Sequence, residues 1–266
     1  MKSRLFALFM MACTSFASIN VAYAAENGSK YELDVKDFSQ LVVDDGLNVV
    51  YKSSNDSAGI AVFTAPKSVA DKILFENNKK GKLTIQKAFH EENEMVRDLP
   101  VITVYSKFLK EVKNEGDSMV KVIDLRPTTE FKAIVVGNGR LIVRGLECTK
   151  FDGSIKTGNG TLVVSGKCES AVLSNTGVGA IQADQLQAKD ASCRFFGTGS
   201  TGCWVTDVLT VKGVMKGKLY YRDRPNRIRN YSVGVKVYSL EGVEWDGVEY
   251  KTVSDKADTT AEEAKK

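Results

Sequence analysis

The chain has 266 residues, of which 43% are hydrophobic and 26% charged, and its formal net charge is +4 at pH 7. This near-neutral balance argues against nucleic acid as a partner, and one histidine with no CxxC pair argues against a zinc site. Beyond the first residues, no stretch approaches the roughly 20 apolar residues that span a bilayer.

Residues 1–24 have the pattern of a secretory signal peptide. Lys2 and Arg4 precede the apolar stretch LFALFMMA, and Ala22 and Ala24 give small residues at the end of the segment. We expect cleavage after Ala24 and an exported protein, in the periplasm, at the outer-membrane surface or outside the cell. Lipidation of Cys13 is disfavoured by the apolar stretch before it, which is too short for a lipoprotein leader.

After a short linker at 25–32, the chain up to about residue 123 predicts short strands. SQLVVDD, LNVVYKS, GIAVFTA, GKLTIQK and LPVITVYS are rich in β-branched residues and bounded by Gly, Pro, Asn or Asp. Apolar spacing over 68–76 predicts a short helix or an irregular segment. His90 falls in a charged loop, and Asp44 and Asp45 are predicted to form a turn rather than a calcium site, because neighbouring strand side chains point to opposite faces.

From residue 131 the sequence repeats with a period near 20. Blocks starting at 131, 151, 171 and 191 each contain a Gly-x-Gly step, and the steps are 21, 19 and 20 residues apart. A weaker copy precedes them at Gly116. The glycines of the four steps are Gly137, Gly139, Gly158, Gly160, Gly177, Gly179, Gly197 and Gly199.

Such a period, built from strand-like and turn-like residues, is typical of an all-β solenoid. Each rung buries its apolar side only when others stack on it, about 4.8 Å apart. The repeat predicts inward columns, one of them Leu141, Leu162 and Ile181 with the polar Thr201 as a misfit, and it predicts that the glycines form tight corners. A phosphate-binding role for these glycines is disfavoured, because strands rather than a helix follow them.

Four cysteines remain after the predicted cleavage. Cys148 and Cys168 are 20 residues apart and therefore fall on adjacent rungs, within reach of a disulfide bond. Cys193 and Cys203 share one rung, where buried free thiols and a bridge are both compatible with the pattern. Neither pair has a histidine nearby in sequence to activate a thiolate.

Several stretches together resemble a known family. These are VKDFSQLVVDDGLNVVYKS near the start, the Gly-x-Gly ladder, and a closing GKLYYRDRP with Gly217, Leu219, Tyr221 and Pro225 in place. They are similar to the auto-transporter adhesin, head GIN domain family of exported Bacteroidetes proteins, over about 33–235. Asp223 departs from the glycine usual in the closing motif. The resemblance implies a right-handed parallel β-helix preceded by a β-rich N-terminal portion, and it implies no established ligand residues.

The most distinctive surface is predicted near the C-terminus, where aromatic and arginine residues are mixed. Aromatic rings stack on sugars and guanidinium groups bind carboxylates or phosphates through two hydrogen bonds. An acidic-glycan site is one interpretation, and capping of the solenoid end is the other. The candidate ligand-binding residues are Tyr221, Arg222, Arg224, Arg227, Arg229 and Tyr231.

We therefore expect a non-catalytic cell-envelope or surface binding module without cofactor or metal. Its partner would be a surface glycan or an envelope protein, and self-association is compatible with the long flat faces of a solenoid. The alternatives are a β-helical polysaccharide-degrading enzyme and a structural or assembly factor of the envelope. For the enzyme, Asp152, Asp184 and Asp190 share no clear column. Residues 236–253 are expected to cap the solenoid, and 254–266 to be a disordered tail.

Overall fold

The computed structural model describes residues 22–25, 28–44, 46–88, 99–248 and 250–252. About 65% of the described residues are in strands and 2% in a helix, and the sheet is curled into a β-solenoid of about six turns. Most of the expected signal peptide, with Cys13, lies outside the described residues, and so do Asp45, His90 and the tail 254–266. No helix that the described residues form is long and apolar enough to cross a membrane.

Twenty strands and one helical turn make up the described chain. The strands of the N-terminal half are β1 (Ala22–Ala25), β2 (Gly28–Asp34), β3 (Gln40–Val43), β4 (Asn48–Ser53), β5 (Ile60–Ala65), β6 (Ile73–Asn77), β7 (Lys82–Lys87), β8 (Val101–Ser106), β9 (Glu111–Asn114) and β10 (Met119–Ile123), with α1 (Lys67–Ala70) before β6. The remaining strands are β11 (Thr128–Val135), β12 (Arg140–Ile155), β13 (Thr161–Asn175), β14 (Ala180–Phe195), β15 (Ser200–Gly213), β16 (Lys218–Tyr221), β17 (Arg227–Ser232), β18 (Lys236–Ser239), β19 (Val243–Trp245) and β20 (Tyr250–Thr252).

Two long parallel ladders form the main faces of the solenoid. The front face stacks β7, β3, β9 and β11, then the second halves of β12 to β15, and ends at β17. The back face stacks β8, β4 and β10, then the first halves of β12 to β15, and ends at β16 and β18. The middle parts of β12 to β14 bend between them and form a narrow side face.

The first rungs are not stacked in chain order. β3 and β4 lie between the rung of β7 and β8 and the rung of β9 and β10. Antiparallel strands cover this end, because β2 pairs with β5, β5 with β8, and β6 with β7. The expected N-terminal portion is therefore part of the solenoid, and the expected helical segment is one turn, α1, followed by β6.

Inward-facing columns form one continuous core. Leu141, Leu162, Ile181 and Thr201 are in register and at most 1% exposed, which confirms the column predicted from the repeat. On the opposite wall, Phe131 stacks over Phe151 with ring centroids 6.5 Å apart, and further along the same interior lies the buried Phe195. Because each side chain packs on its equivalent in the next rung, the stack buries what one rung leaves exposed.

The Gly-x-Gly steps form the corners between the front and back faces, and two different constraints select glycine there. Gly137 and Gly158 have φ of +95° and +78°, a region that side chains rarely adopt. Gly179 and Gly197 have ordinary φ, but a Cβ on either would overlap the backbone carbonyl of the corner beneath. At the second pair of glycines, the close approach of neighbouring rungs leaves no room for a side chain.

Candidate functional site

Positive charge is concentrated in the last rungs. Residues 191–240 contain nine Lys or Arg residues and two Asp residues, although the whole chain carries a net charge of only +4. The repeat places alternate side chains of these strands outward. The near-neutral overall charge thus conceals a basic end of the solenoid.

Three of the predicted ligand residues lie together on the front face. Arg227, Arg229 and Tyr231 are alternate residues of β17 and all are exposed, Tyr231 to 67%. Parallel pairing with β15 places Arg229 beside Thr210 and Tyr231 beside Lys212. The strand period of two, acting on RIRNY, therefore produces a row of two guanidinium groups and a phenol ring.

The other three predicted residues lie elsewhere. Arg222 follows β16 on the back face, where its guanidinium carbon is 4.6 Å from the centre of the Trp204 ring, and Nη1 donates to the carbonyl oxygen of Asp184 at 3.3 Å. Tyr221 is paired with Cys203 in an inward column and packs against the core. Arg224 is exposed in the turn before β17. The register of Tyr221 with Cys203, 18 residues earlier, is the sequence signal for its inward direction.

A shallow depression of about 370 Å³ adjoins the β17 row. Arg229 lies at one end, and Asp190, Ser192 and Thr210 supply polar groups along it, while Val208 contributes apolar surface. Small outward side chains leave the sheet surface open, since serine, threonine and valine extend little from the backbone. The sequence predicted none of Asp190, Ser192 and Thr210 as ligand residues, with Asp190 weighed only as a catalytic carboxylate, although their outward phase follows from the repeat.

This arrangement suits a polar, extended ligand better than a compact one. The depression is wide and open, and its hydroxyl and carboxylate groups are spread along the stacking direction. Arg227 and Arg229 carry ten N–H donors between them. An anionic chain that crosses the rungs would meet donors, acceptors and the Tyr231 ring in succession.

Most aromatic residues of the C-terminal region form a structural cluster on the back face. The Tyr220 ring is 5.5 Å from Tyr238 and 4.9 Å from Tyr250, and Trp245 is 5.0 Å from Tyr250. Tyr250 is 6% exposed, and its hydroxyl donates to Oδ1 of Asp184 at 2.8 Å. Burial and the nearby Asp184 carboxylate raise the pKa of Tyr250 above its ordinary value. Tyr220, Tyr250 and Trp245 hold the β19–β20 hairpin, while Tyr238 covers Tyr220 and is itself 39% exposed.

The carboxylates considered for catalysis are dispersed. Asp184 is bound to Tyr250, while Asp152 and Asp190 lie on the front face in different columns, two rungs apart. Within the described part of the chain, no group of three or more His, Cys, Asp or Glu residues is placed to hold a metal ion.

Both cysteine pairs are in contact. Cys148 and Cys168 are register partners on the side face, and their thiol contact lowers the pKa of Cys148 and raises that of Cys168. Cys193 and Cys203 are buried and meet inside the core, where their mutual hydrogen bond and burial raise the pKa of Cys203. All four are free thiols in this structure, so the proposed 148–168 bridge stays a prediction.

The fold is shared with solved structures from Bacteroidetes. A "putative adhesin" from Bacteroides fragilis NCTC 9343 has a TM-score of 0.72 at 21% identity, covering 81% of this chain and 97% of that one. A second "putative adhesin", from Parabacteroides merdae ATCC 43184, has a TM-score of 0.64 at 21% identity, covering 80% and 96%. A "putative lipid binding protein" from Parabacteroides distasonis ATCC 8503 has 0.62 at 19%, covering 80% and 97%.

A search of curated protein sequences finds no match. In contrast, the family described as "Putative auto-transporter adhesin, head GIN domain" matches residues 37–225, which include the rungs from β3 to β16 and the closing Pro225. This match covers most of the chain and agrees with the solenoid and its corner glycines. The chain belongs to the auto-transporter adhesin, head GIN domain family.

Proposed function

We propose that this protein is an exported, non-catalytic binding module of the cell envelope or cell surface, and that it binds an acidic glycan on its front face. The observation that carries the proposal is the row of Arg227, Arg229 and Tyr231 beside the shallow depression. The family description as an adhesin and the predicted signal peptide support a role at the surface.

Acidic sugars fit the chemistry of this row. A guanidinium group binds the carboxylate of a uronate or a sugar phosphate through two parallel hydrogen bonds. The exposed Tyr231 ring offers an apolar face to the C–H side of a pyranose, and Ser192 and Thr210 offer hydroxyl groups to sugar hydroxyls. A repeating ligand also matches a repeating surface, because successive rungs present equivalent positions about 4.8 Å apart.

A binding role accounts for the dispersed carboxylates better than a catalytic one. Glycoside hydrolysis requires two carboxyl groups about 5–10 Å apart across one sugar bond. Asp184 is occupied by Tyr250, and Asp190 has its Oδ1 bonded to the backbone N–H of Val208 at 3.1 Å. Asp184 and Asp190 thus serve contacts within the protein.

The experiment is a glycan array on the mature protein that includes uronate-containing and neutral polysaccharides. We expect binding to the acidic members, and a loss of at least about tenfold in the Arg227→Gln, Arg229→Gln double variant, since each charge-assisted hydrogen bond contributes about 1.5–3 kcal/mol. Arg144→Gln is the matched control, because Arg144 is also exposed but distant from β17. Equal binding by the double variant and the control, or binding to neutral glycans alone, would contradict the proposal.

A further inference from the structure

The corner between the front and back faces changes character along the solenoid. Each of the last four corners exposes at least one apolar side chain, from 41% to 73%, beside the exposed Thr176 and Thr198 of the first two. We call these apolar side chains the apolar ridge. Its members are Val178, Phe196, Val214, Met215 and Val233.

The same corner is polar in the earlier rungs. The equivalent turns expose Asn138, then Lys156 and Asn159. A corner of this fold therefore does not require apolar tips, and the glycine steps satisfy its backbone constraints in either case. The ridge is a local feature of the last rungs, and exposed apolar surface of this kind marks an interaction site.

Cations line both sides of the ridge. Arg194 and Lys212 immediately precede it on the front face, Lys218 and Lys236 follow it on the back face, and Lys216 lies within it; all five are exposed. No acidic residue occurs in the segments that form the ridge and its flanks, 172–182, 192–202, 210–220 and 229–239. The surface thus combines apolar tips with a border of uniformly positive charge.

We propose that the apolar ridge docks on a lipid bilayer that carries anionic headgroups. Phe196, Met215 and the valines would enter the interfacial region, and the flanking lysines and arginine would contact lipid phosphates. Juxtamembrane cations and inserted apolar groups add their contributions to such binding.

The shape of the ridge favours a bilayer over a protein partner. Phe196, Val214 and Val233 directly follow the register partners Phe195, Gly213 and Ser232, so these tips form a straight convex row of roughly 10 Å across three rungs. A straight convex row meets a plane along its whole length. A second copy of this chain would bring one positive border against another, which is repulsive.

This inference is independent of the proposed glycan site. The ridge lies at the corner, whereas Arg227, Arg229 and the depression lie on the front face. A protein that docks by the ridge would hold its front face roughly upright from the membrane, where it remains open to a ligand.

The test is flotation of the mature protein with vesicles of phosphatidylcholine alone and of phosphatidylcholine mixed with phosphatidylglycerol. We expect binding to the mixed vesicles only. The triple variant Phe196→Ser, Val214→Ser, Val233→Ser should bind at least about tenfold more weakly. The triple variant Lys216→Gln, Lys218→Gln, Lys236→Gln should lose about fivefold for each lysine removed.

Two controls separate the ridge from general effects. Val101→Ser removes an apolar side chain of similar exposure at the other end of the solenoid and should leave vesicle binding unchanged. Arg227→Gln with Arg229→Gln should weaken glycan binding at least about tenfold while most vesicle binding remains. The inference is overturned if the protein binds neither vesicle, binds neutral vesicles equally well, or keeps full binding in the ridge variant.

Discussion

The hydroxyl of Tyr250 donates a hydrogen bond of 2.8 Å to the carboxylate of Asp184, 66 residues earlier in the chain. This contact fastens the β19–β20 hairpin onto the back face of the solenoid. The Tyr250 ring lies against Gly202, and any side chain at that position would overlap it. A buried hydrogen bond and an aromatic cluster therefore hold the C-terminal segment, and Gly202 leaves the space that the Tyr250 ring occupies.

Tyr250→Phe should lower the free energy of unfolding by about 1–3 kcal/mol, because it leaves the buried Asp184 carboxylate without its donor. Chemical denaturation measures the change. Tyr231→Phe, which removes a hydroxyl from a largely exposed ring, is the control and should have little effect. Equal stability of the two variants would show that the bond does not stabilise the fold.

Stability should also fall at alkaline pH through the same residue. The folded state raises the pKa of Tyr250 above the unfolded value of about 10, so its contribution is complete below that pH and is lost as the pH rises towards the folded pKa. Tyr51 is affected in the same direction, so the wild type must be compared with Tyr250→Phe. Thermal unfolding between about pH 8 and 11 should show a steeper decline in the wild type; parallel curves would contradict this assignment.

Gly202→Ala should displace the hairpin while the solenoid remains folded. The new methyl group would occupy the position of the Tyr250 hydroxyl, and Tyr250 can move away because it belongs to a terminal hairpin. We expect greater solvent exposure of Trp245, which packs 5.0 Å from Tyr250, and hence a red shift of tryptophan fluorescence. An unchanged emission spectrum together with unchanged protease resistance near 243–252 would contradict this account.

The corner glycines should differ in the cost of a methyl group. Gly179→Ala sets a Cβ against the backbone of the preceding corner, and relief requires separating two rungs, so we expect a loss above about 3 kcal/mol or failure to fold. Gly145→Ala is the control, because its φ is +67° but open space surrounds it, and it should lose only about 1–2 kcal/mol. Similar losses in denaturant melts would refute the stacking explanation.

Oxidation should link Cys148 to Cys168. They are register neighbours with thiols in contact, and the lowered pKa of Cys148 favours the thiolate that starts disulfide exchange. Closing this loop should stabilise the protein by about 3 kcal/mol. Peptide mapping after mild oxidation identifies the linkage, and Cys148→Ser should abolish both the linkage and the stabilisation. A bridge between Cys193 and Cys203 alone would show that burial does not protect the second pair.

Only half of the six predicted ligand residues lie together in the structure. Alternate residues of RIRNY share a side of an extended strand, which the sequence analysis did not use, and in the structure Arg227, Arg229 and Tyr231 are alternate exposed residues of β17. The same stretch of sequence gives no sign that Arg222 is held by Trp204 and Asp184, because that contact joins three separate strands or turns. Long-range contacts of this kind depend on how rungs are bent, which a periodic pattern does not encode.

The sequence by itself determined the solenoid, its period and its main inward columns, because each rung repeats the same local requirements for apolar side chains and glycine corners. Only the tertiary structure decided that β3 and β4 lie between later strands and that the hairpin covers the back face. It also decided that apolar tips and cations converge at one corner. These outcomes depend on hydrogen bonding and packing between segments distant in the chain, and no local pattern specifies them.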